Sequence, residues 1–168
     1  NDGQANPGET IIPIIDIQNN GSIDLENLTI KLESNSDYVN LINSQINDIS
    51  ILSNQTFTIN NLSFLILDNI QDMVSLDLYI TIYNTNSNWT FNLPISVYSG
   101  SVNLDLSILE DENNNNIFDK GETATVDIII KNDGSIDLSN VTGSINFNDD
   151  TISFNNTDLI WGDVKKGE

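Results

Sequence analysis

The chain contains no cysteine, no histidine and no arginine, and only five lysines stand against 25 acidic residues in 168. Each absence removes a class of chemistry. Without His or Cys there is no Ser-His-Asp triad, no cysteine nucleophile, no disulfide and no ordinary zinc, copper or haem site. A formal net charge of −20 repels phosphate backbones and anionic lipid, which argues against nucleic-acid and membrane-surface partners. Apolar residues come in short runs, far below the ~20 needed for a membrane-spanning helix, so membrane insertion is not expected. There is no signal-peptide pattern, and the chain opens on Asn1 rather than Met. A processed chain, or a piece of a longer one, is the expectation. The lack of cysteine fits any compartment.

What is abundant is oxygen. There are 28 Asn and 29 Ser plus Thr residues beside the acidic groups. Such a surface suits hard cations, of which Ca²⁺ is the leading candidate. The plainer explanation of the acidity is solubility, since like charges keep β-rich chains apart. Seven Asn-x-Ser/Thr sequons occur, at Asn20, Asn27, Asn54, Asn61, Asn88, Asn140 and Asn155. Chance in a chain this rich in Asn gives roughly five, so glycosylation is an option rather than a deduction.

The chain repeats itself. Residues 8–29 read GETIIPIIDIQNNGSIDLENLT and residues 121–142 read GETATVDIIIKNDGSIDLSNVT, a constant offset of 113. Asn19, Gly21, Ser22, Ile23, Asp24, Leu25, Asn27 and Thr29 recur as Asn132, Gly134, Ser135, Ile136, Asp137, Leu138, Asn140 and Thr142. Further on, Asp48-Ile49 resembles Asp163-Val164 after a shift of two residues. A period of this length is too long for a solenoid and suits tandem folded domains. The second copy spans only half a period. Its sheet edge and core call for completion, either by further residues or by a strand from a neighbouring molecule.

Strand patterns of period two dominate. Leu76, Leu78, Ile80 and Ile82 alternate with polar residues or Tyr, as do Trp89, Phe91, Leu93, Ile95 and Val97, then Val102, Leu104, Leu106 and Ile108, then Ala124, Val126, Ile128 and Ile130. Turns are marked at Asn20-Gly21, Asn84 to Asn88, Ser99-Gly100 and Asp133-Gly134. No stretch has helical periodicity. The pattern predicts an all-β chain of tandem immunoglobulin-like antiparallel β-sandwiches, the second incomplete. The expected divisions are a first sandwich at 1–109, a calcium-binding junction loop at 110–122 and the N-terminal part of a second sandwich at 123–168. Trp89 and Trp161 fall in the apolar phase and are expected in the core.

The junction segment reads DENNNNIFDKGE from Asp111 to Glu122. Numbered as a twelve-residue loop, it places oxygen side chains at positions 1, 3, 5, 9 and 12: Asp111, Asn113, Asn115, Asp119 and Glu122. Position 7 is Ile117, whose carbonyl could point inward. This is the ligand spacing of an EF-hand calcium loop, in which the position-12 Glu closes a shell of six to eight oxygens at about 2.3–2.6 Å. Position 6, normally Gly, is Asn116, the residue next best suited to a left-handed backbone. The flanks are strands, not helices. The same offset puts Asp2, Gln4, Asn6 and Glu9 in a second, partial loop with Gly3 at position 6.

The loop at Asp111 to Glu122, Asn132-Asp133-Gly134, and Gly162-Asp163-Val164 with Gly167-Glu168 together resemble the immunoglobulin-like (CARDB-like) tandem repeat modules of large prokaryotic cell-surface and secreted proteins. Asn6-Pro7-Gly8-Glu9 and Asn19-Asn20-Gly21 carry the match in the first copy. The chain departs from that pattern at Asn116 and Lys120, where Gly and Pro are usual. The resemblance implies extracellular display and a spacer or adhesive role, and it does not imply an enzyme.

The expected function is therefore a structural repeat or spacer of an extracellular surface fibre, stalk or adhesin, rigidified by Ca²⁺ at the interdomain junction. Its partners would be neighbouring repeats or subunits of the same protein, joined into a filament if strands are donated between them. The alternative is a glycan- or protein-binding recognition module of a secreted multidomain protein, for which Tyr79, Tyr83 and Tyr98 would form a platform. Ordinary cross-strand pairing also accounts for those tyrosines. Catalysis would need paired carboxylates such as Asp149-Asp150 or Asp24/Asp137. The latter recur within a turn-like repeat element, as structural residues do. A Lys–Asn isopeptide bond is disfavoured because Lys31 and Lys131 lie on polar phases.

Overall fold

The computed structural model describes residues 3–146 and 151–168. All regular structure among them is β, and the chain divides into two units, Asn1–Ser99 and Gly100–Glu168.

In the first unit the strands are β1 (Thr10–Ile11), β2 (Ile15–Gln18), β3 (Leu25–Ser34), β4 (Val39–Asn43), β5 (Gln45–Ile51), β6 (Thr56–Ile59), β7 (Ser63–Ile66), β8 (Ser75–Leu76), β9 (Leu78–Tyr83), β10 (Asn88–Asn92) and β11 (Ile95–Ser96). A four-stranded sheet runs β10-β9-β3-β5 and a three-stranded sheet runs β1-β7-β4, with the short pairs β2-β6 and β8-β11 beside them. All named pairs are antiparallel. The period-two phases decide what is inside. Leu28, Ile30 and Leu32 of β3, Ile80 and Ile82 of β9, and Phe64 and Ile66 of β7 are buried in one apolar cluster. The intervening Lys31, Glu33, Tyr79 and Thr81 face outward, where the Lys31 ammonium lies 3.0 Å from Glu33. The arrangement is sandwich-like, with one apolar cluster drawn from both larger sheets.

In the second unit the strands are β12 (Val102–Asp111), β13 (Ala124–Asn132), β14 (Leu138–Ser144) and β15 (Asp158–Val164), forming two separate ladders, β12-β13 and β14-β15. The expected boundary at residue 109 shifts. Val102–Asp111 pairs along its length with Ala124–Asn132, so it belongs to the second unit, and the loop after Asp111 connects two strands of one hairpin. The apolar alternation of Val102 to Ile108 identifies a strand but not its partner, which is why the boundary was misplaced.

The repeat is closer in three dimensions than in sequence. β3-β5 pairs Leu25 with Ile51, Leu28 with Ile49, Ile30 with Ile46 and Lys31 with Gln45. β14-β15 pairs Leu138 with Val164, Val141 with Gly162, Gly143 with Leu159 and Ser144 with Asp158. Every partner is displaced by the same 113 positions. The two-residue shift suggested for Asp48-Ile49 is thus wrong: Val164 occupies the place of Ile51, and Gly162 that of Ile49. Asn19 and Asn132 share three hydrogen bonds, and Asn132 Oδ1 accepts a further one from Ser101 N at 3.4 Å. The Asn19 amide donates to Ile23 O at 2.9 Å and Ile51 O at 3.0 Å, and its Oδ1 accepts from Gly21 N at 3.0 Å. The Asn132 amide donates to Ile136 O at 2.8 Å and Val164 O at 3.3 Å, and its Oδ1 accepts from Gly134 N at 3.1 Å. Both are buried, so each satisfies turn and strand groups that water cannot reach.

Candidate metal centre

β12 delivers Asp111 at its end, paired with Ala124, where the residue is 7% exposed. Its Oδ1 accepts from Asn115 N at 3.1 Å. Its Oδ2 is buried and has no hydrogen-bond partner. A buried carboxylate oxygen left unpaired costs on the order of 1–3 kcal/mol or more, a cost that a water, a donor or a cation beside it would relieve.

The rest of the loop closes over it through side-chain-to-backbone bonds. Asn113 Oδ1 accepts from Asn115 N at 3.0 Å, and Asn115 Oδ1 accepts from Ile117 N at 2.6 Å. The side-chain amides of Asn113 and Asn115 both donate to Asp119 Oδ2, at 3.2 and 3.1 Å. Glu122 accepts from Asn113 N at 3.1 Å through Oε1 and from Asp119 N at 3.0 Å through Oε2. The curl needs left-handed backbone at two asparagines, Asn114 at φ 57° and Asn116 at φ 61°, with Gly121 at φ 83°. Asn116 therefore takes the conformation for which Gly is usual at position 6. Asn114 was not singled out from the sequence. The signal for it was only the Asn run itself, Asn being the non-glycine residue most tolerant of that region.

All five predicted oxygen side chains thus meet in one network. Ile117 joins through its amide, while its side chain is 60% exposed. Among the described residues no group of three or more Asp or Glu side chains converges tightly enough to hold an ion by carboxylates alone. The donor set is instead mixed: three carboxylates and two amides, with N–H groups now directed at Asp119 and Glu122. A half-turn about χ2 of Asn113 or Asn115 would exchange its nitrogen for its oxygen at the face toward Asp119. Oxygen side chains of this kind are those a hard cation takes, and the Oδ2 of Asp111 is the one among them without a hydrogen-bond partner.

The partial loop of the first unit shares the second half of this geometry. Asn6 N donates to Glu9 Oε2 at 3.3 Å, and Glu9 N to Asn6 O at 3.2 Å, as Asp119 and Glu122 do. Gly3 at φ 80° and Gly8 at φ 75° occupy the places of Asn116 and Gly121. Asn6, however, turns its amide to Tyr98 O at 2.9 Å. Gln4 lies on the same segment, and Asp2 is outside the described residues, as are Asp149 and Asp150.

The other candidates separate in space. Tyr79 and Tyr83 share the outer face of β9, opposite Glu33 and Thr29, while Tyr98 follows β11 and its amide bonds Ala5 O. Glu33 is held below the usual carboxylate range, first by the Thr81 hydroxyl and then by Lys31. Trp89 is not core: it is 36% exposed, and Phe91 beside it is 54% exposed, because β10 is an edge strand. Trp161 is half-buried and donates through Nε1 to Ile128 O at 3.1 Å. Asp24 Oδ1 accepts from Ser53 N at 2.8 Å and Asp137 Oδ1 from Lys166 N at 2.9 Å, the same turn contact in both copies. All seven sequon asparagines are exposed. Comparison of the chain with protein-family models, with curated proteins and with solved structures returned no match.

Proposed function

We propose that the chain is a structural repeat of an extracellular surface fibre, stalk or adhesin, built of immunoglobulin-like β-sandwich modules and stiffened by Ca²⁺ bound in the loop from Asp111 to Glu122. The carrying observation is the buried, partnerless Oδ2 of Asp111 at the head of a loop whose other oxygen side chains are already gathered. Asp111, Asp119 and Glu122 would supply the charge, and Asn113, Asn115 and the Ile117 carbonyl the neutral oxygens. The ion would neutralise charge that Asp111, Asp119 and Glu122 carry on one loop. Because the loop closes the β12-β13 hairpin, the element stiffened is that hairpin of the second unit. Exact recurrence of hydrogen bonds at an offset of 113 supports a repeat module over a site tuned to one substrate. The acidic surface and the resemblance to surface-protein modules fit the same role. Neighbouring repeats or subunits of the same protein are the partners it implies.

Extracellular calcium modules bind at ~10⁻⁴–10⁻³ M. At about 10 mM Ca²⁺ such a site adds roughly 1.4–2.7 kcal/mol to the folded state. For a unit of this size that raises the melting temperature by on the order of 10 °C relative to chelator. Asp111→Asn should abolish the Ca²⁺-dependent increment while leaving the chelator value unchanged or slightly higher, since it removes a buried charge. Equal melting with Ca²⁺ and chelator in the unsubstituted chain would sink the metal reading.

A recognition role is the second reading, favoured by the adjacent exposed rings of Trp89 and Phe91 on an edge strand. Glycan or peptide binding lost in Trp89→Ala, with Ca²⁺-independent melting, would move the assignment there.

A further inference from the structure

The chain has a single Asn-Gly pair, Asn20-Gly21, in the turn between β2 and β3. Such a pair can react with itself. The Gly21 backbone nitrogen attacks Cγ of Asn20, a nitrogen–carbon bond forms, the Cγ–Nδ2 bond breaks and ammonia leaves. Water then opens the cyclic imide. It gives aspartate when it adds at Cγ and isoaspartate when it adds at the main-chain carbonyl. Glycine eases the attack because it has no Cβ to crowd the nitrogen. Asn20 and Gly21 are both exposed, so water reaches the pair.

The attacking nitrogen, however, is held. Gly21 N donates to Asn19 Oδ1 at 3.0 Å. That acceptor is fixed in turn. Asn19 is 5% exposed, and its amide donates to Ile23 O at 2.9 Å and Ile51 O at 3.0 Å. Its backbone is tied on both sides, Asn19 N donating to Gln55 O at 2.9 Å and Asn54 N to Asn19 O at 2.8 Å. Ser53 Oγ donates to Gly21 O at 2.7 Å and holds the next peptide. The Gly21 N–H must leave its bond before the nitrogen can lose a proton, and the turn must rotate before that nitrogen reaches Cγ.

The second unit builds the same clamp, with Gly134 N donating to Asn132 Oδ1 at 3.1 Å. There the place of Asn20 is taken by Asp133, which stays exposed although β12 runs alongside. Its carboxylate meets Lys131 Nζ at 2.7 Å and accepts from the Asn103 amide. The turn thus accommodates an aspartate at this place. Isoaspartate is different: it adds a carbon to the main chain between Asn19 and Gly21 and carries the Gly21 nitrogen off Asn19 Oδ1.

From this geometry we propose that Asn20 is a site of spontaneous deamidation and that the buried Asn19 side chain sets its rate by withholding the Gly21 nitrogen. Modification takes place when the turn opens, and the isoaspartyl product keeps it from closing again. Neither the metal nor the fibre reading is needed for this.

The test incubates the full chain at mildly alkaline pH, folded and in guanidinium chloride, and follows Asn20 by peptide mass. The chain is made without N-glycosylation, because Asn20 is also a sequon and a sugar on Nδ2 would bar the loss of ammonia. Folding should slow conversion at Asn20 by about tenfold or more. Asn19→Ala should restore most of the denatured rate. Asp133→Asn makes a second Asn-Gly pair at an exposed place under the Asn132 clamp, and when folded it should convert as slowly as Asn20. Where circular dichroism shows that Asn19→Ala does not fold, Asp133→Asn decides. Equal rates at Asn20 in the folded and denatured chain overturn the proposal. So does a folded Asn19→Ala chain that keeps the slow rate, or a folded Asp133→Asn chain that converts at the denatured rate.

Discussion

The two units share hydrogen bonds and differ in burial. Asn19 and Asn132, Asp24 and Asp137, and the β3-β5 and β14-β15 registers superimpose residue for residue. Yet among the described residues fourteen apolar side chains form the buried cluster of the first unit, whereas only Ile130 and Val164 of the second are buried. Local polar geometry is therefore set by short segments and forms wherever they occur. A core needs two facing layers, and the second unit presents ladders whose apolar faces are largely open. That difference locates the exposed leucines of β12, Leu104 and Leu106.

The sharpest way to break the comparison is to cut the core. Phe64→Ala, at a fully buried site, should cost about 3–5 kcal/mol in denaturant unfolding. Leu106→Ala should change stability by no more than about 0.5 kcal/mol. A large loss at Leu106 would mean that its face is covered in solution and that the contrast is false. Next come the paired asparagines. Asn19→Ala strands two carbonyls and one N–H, Asn132→Ala two carbonyls and two N–H groups, and each should cost about 1–3 kcal/mol in its own unit. Unequal costs would show that identical bonds carry different weight where the surroundings differ in burial.

The smallest effect is a titration. The Lys166 backbone N–H, and after it the Lys165 ammonium, hold Asp137 below the usual carboxylate range. A depressed folded value means that its contribution is complete above the unfolded value of about 3.9 and is lost as pH falls through the folded one. A carboxyl-carbon NMR titration should place the Asp137 midpoint below about 3.9. Lys165→Met should retain most of the depression, because the backbone bond is the larger cause. A midpoint that returns to normal in that variant would reverse the order of causes.

Much of this was legible in the residues. The alternation of Leu78, Ile80 and Ile82 named both the strand and its buried face, because side chains on a strand can only alternate. The spacing of Asp111, Asn113, Asn115, Asp119 and Glu122 named the loop, because a tight turn brings alternate side chains inward. Trp89 was misjudged for a physical reason: its phase is apolar, but phase does not say what packs over that face, and its ring stays 36% exposed. Val102 to Asp111 was likewise recognised as a strand and assigned to the wrong unit, since periodicity carries no information about hydrogen-bond partners.

The sequence by itself determined that the chain is β, that a segment recurs at an offset of 113 residues, and that oxygen side chains cluster after β12. These follow from interactions within a few residues: pleat, turn chemistry and Asn's tolerance of left-handed backbone. Only the tertiary structure decided that the loop closes a hairpin and that one oxygen of Asp111 is buried without a hydrogen-bond partner. Those depend on which distant segments meet, and long-range pairing is fixed by packing rather than by any local pattern.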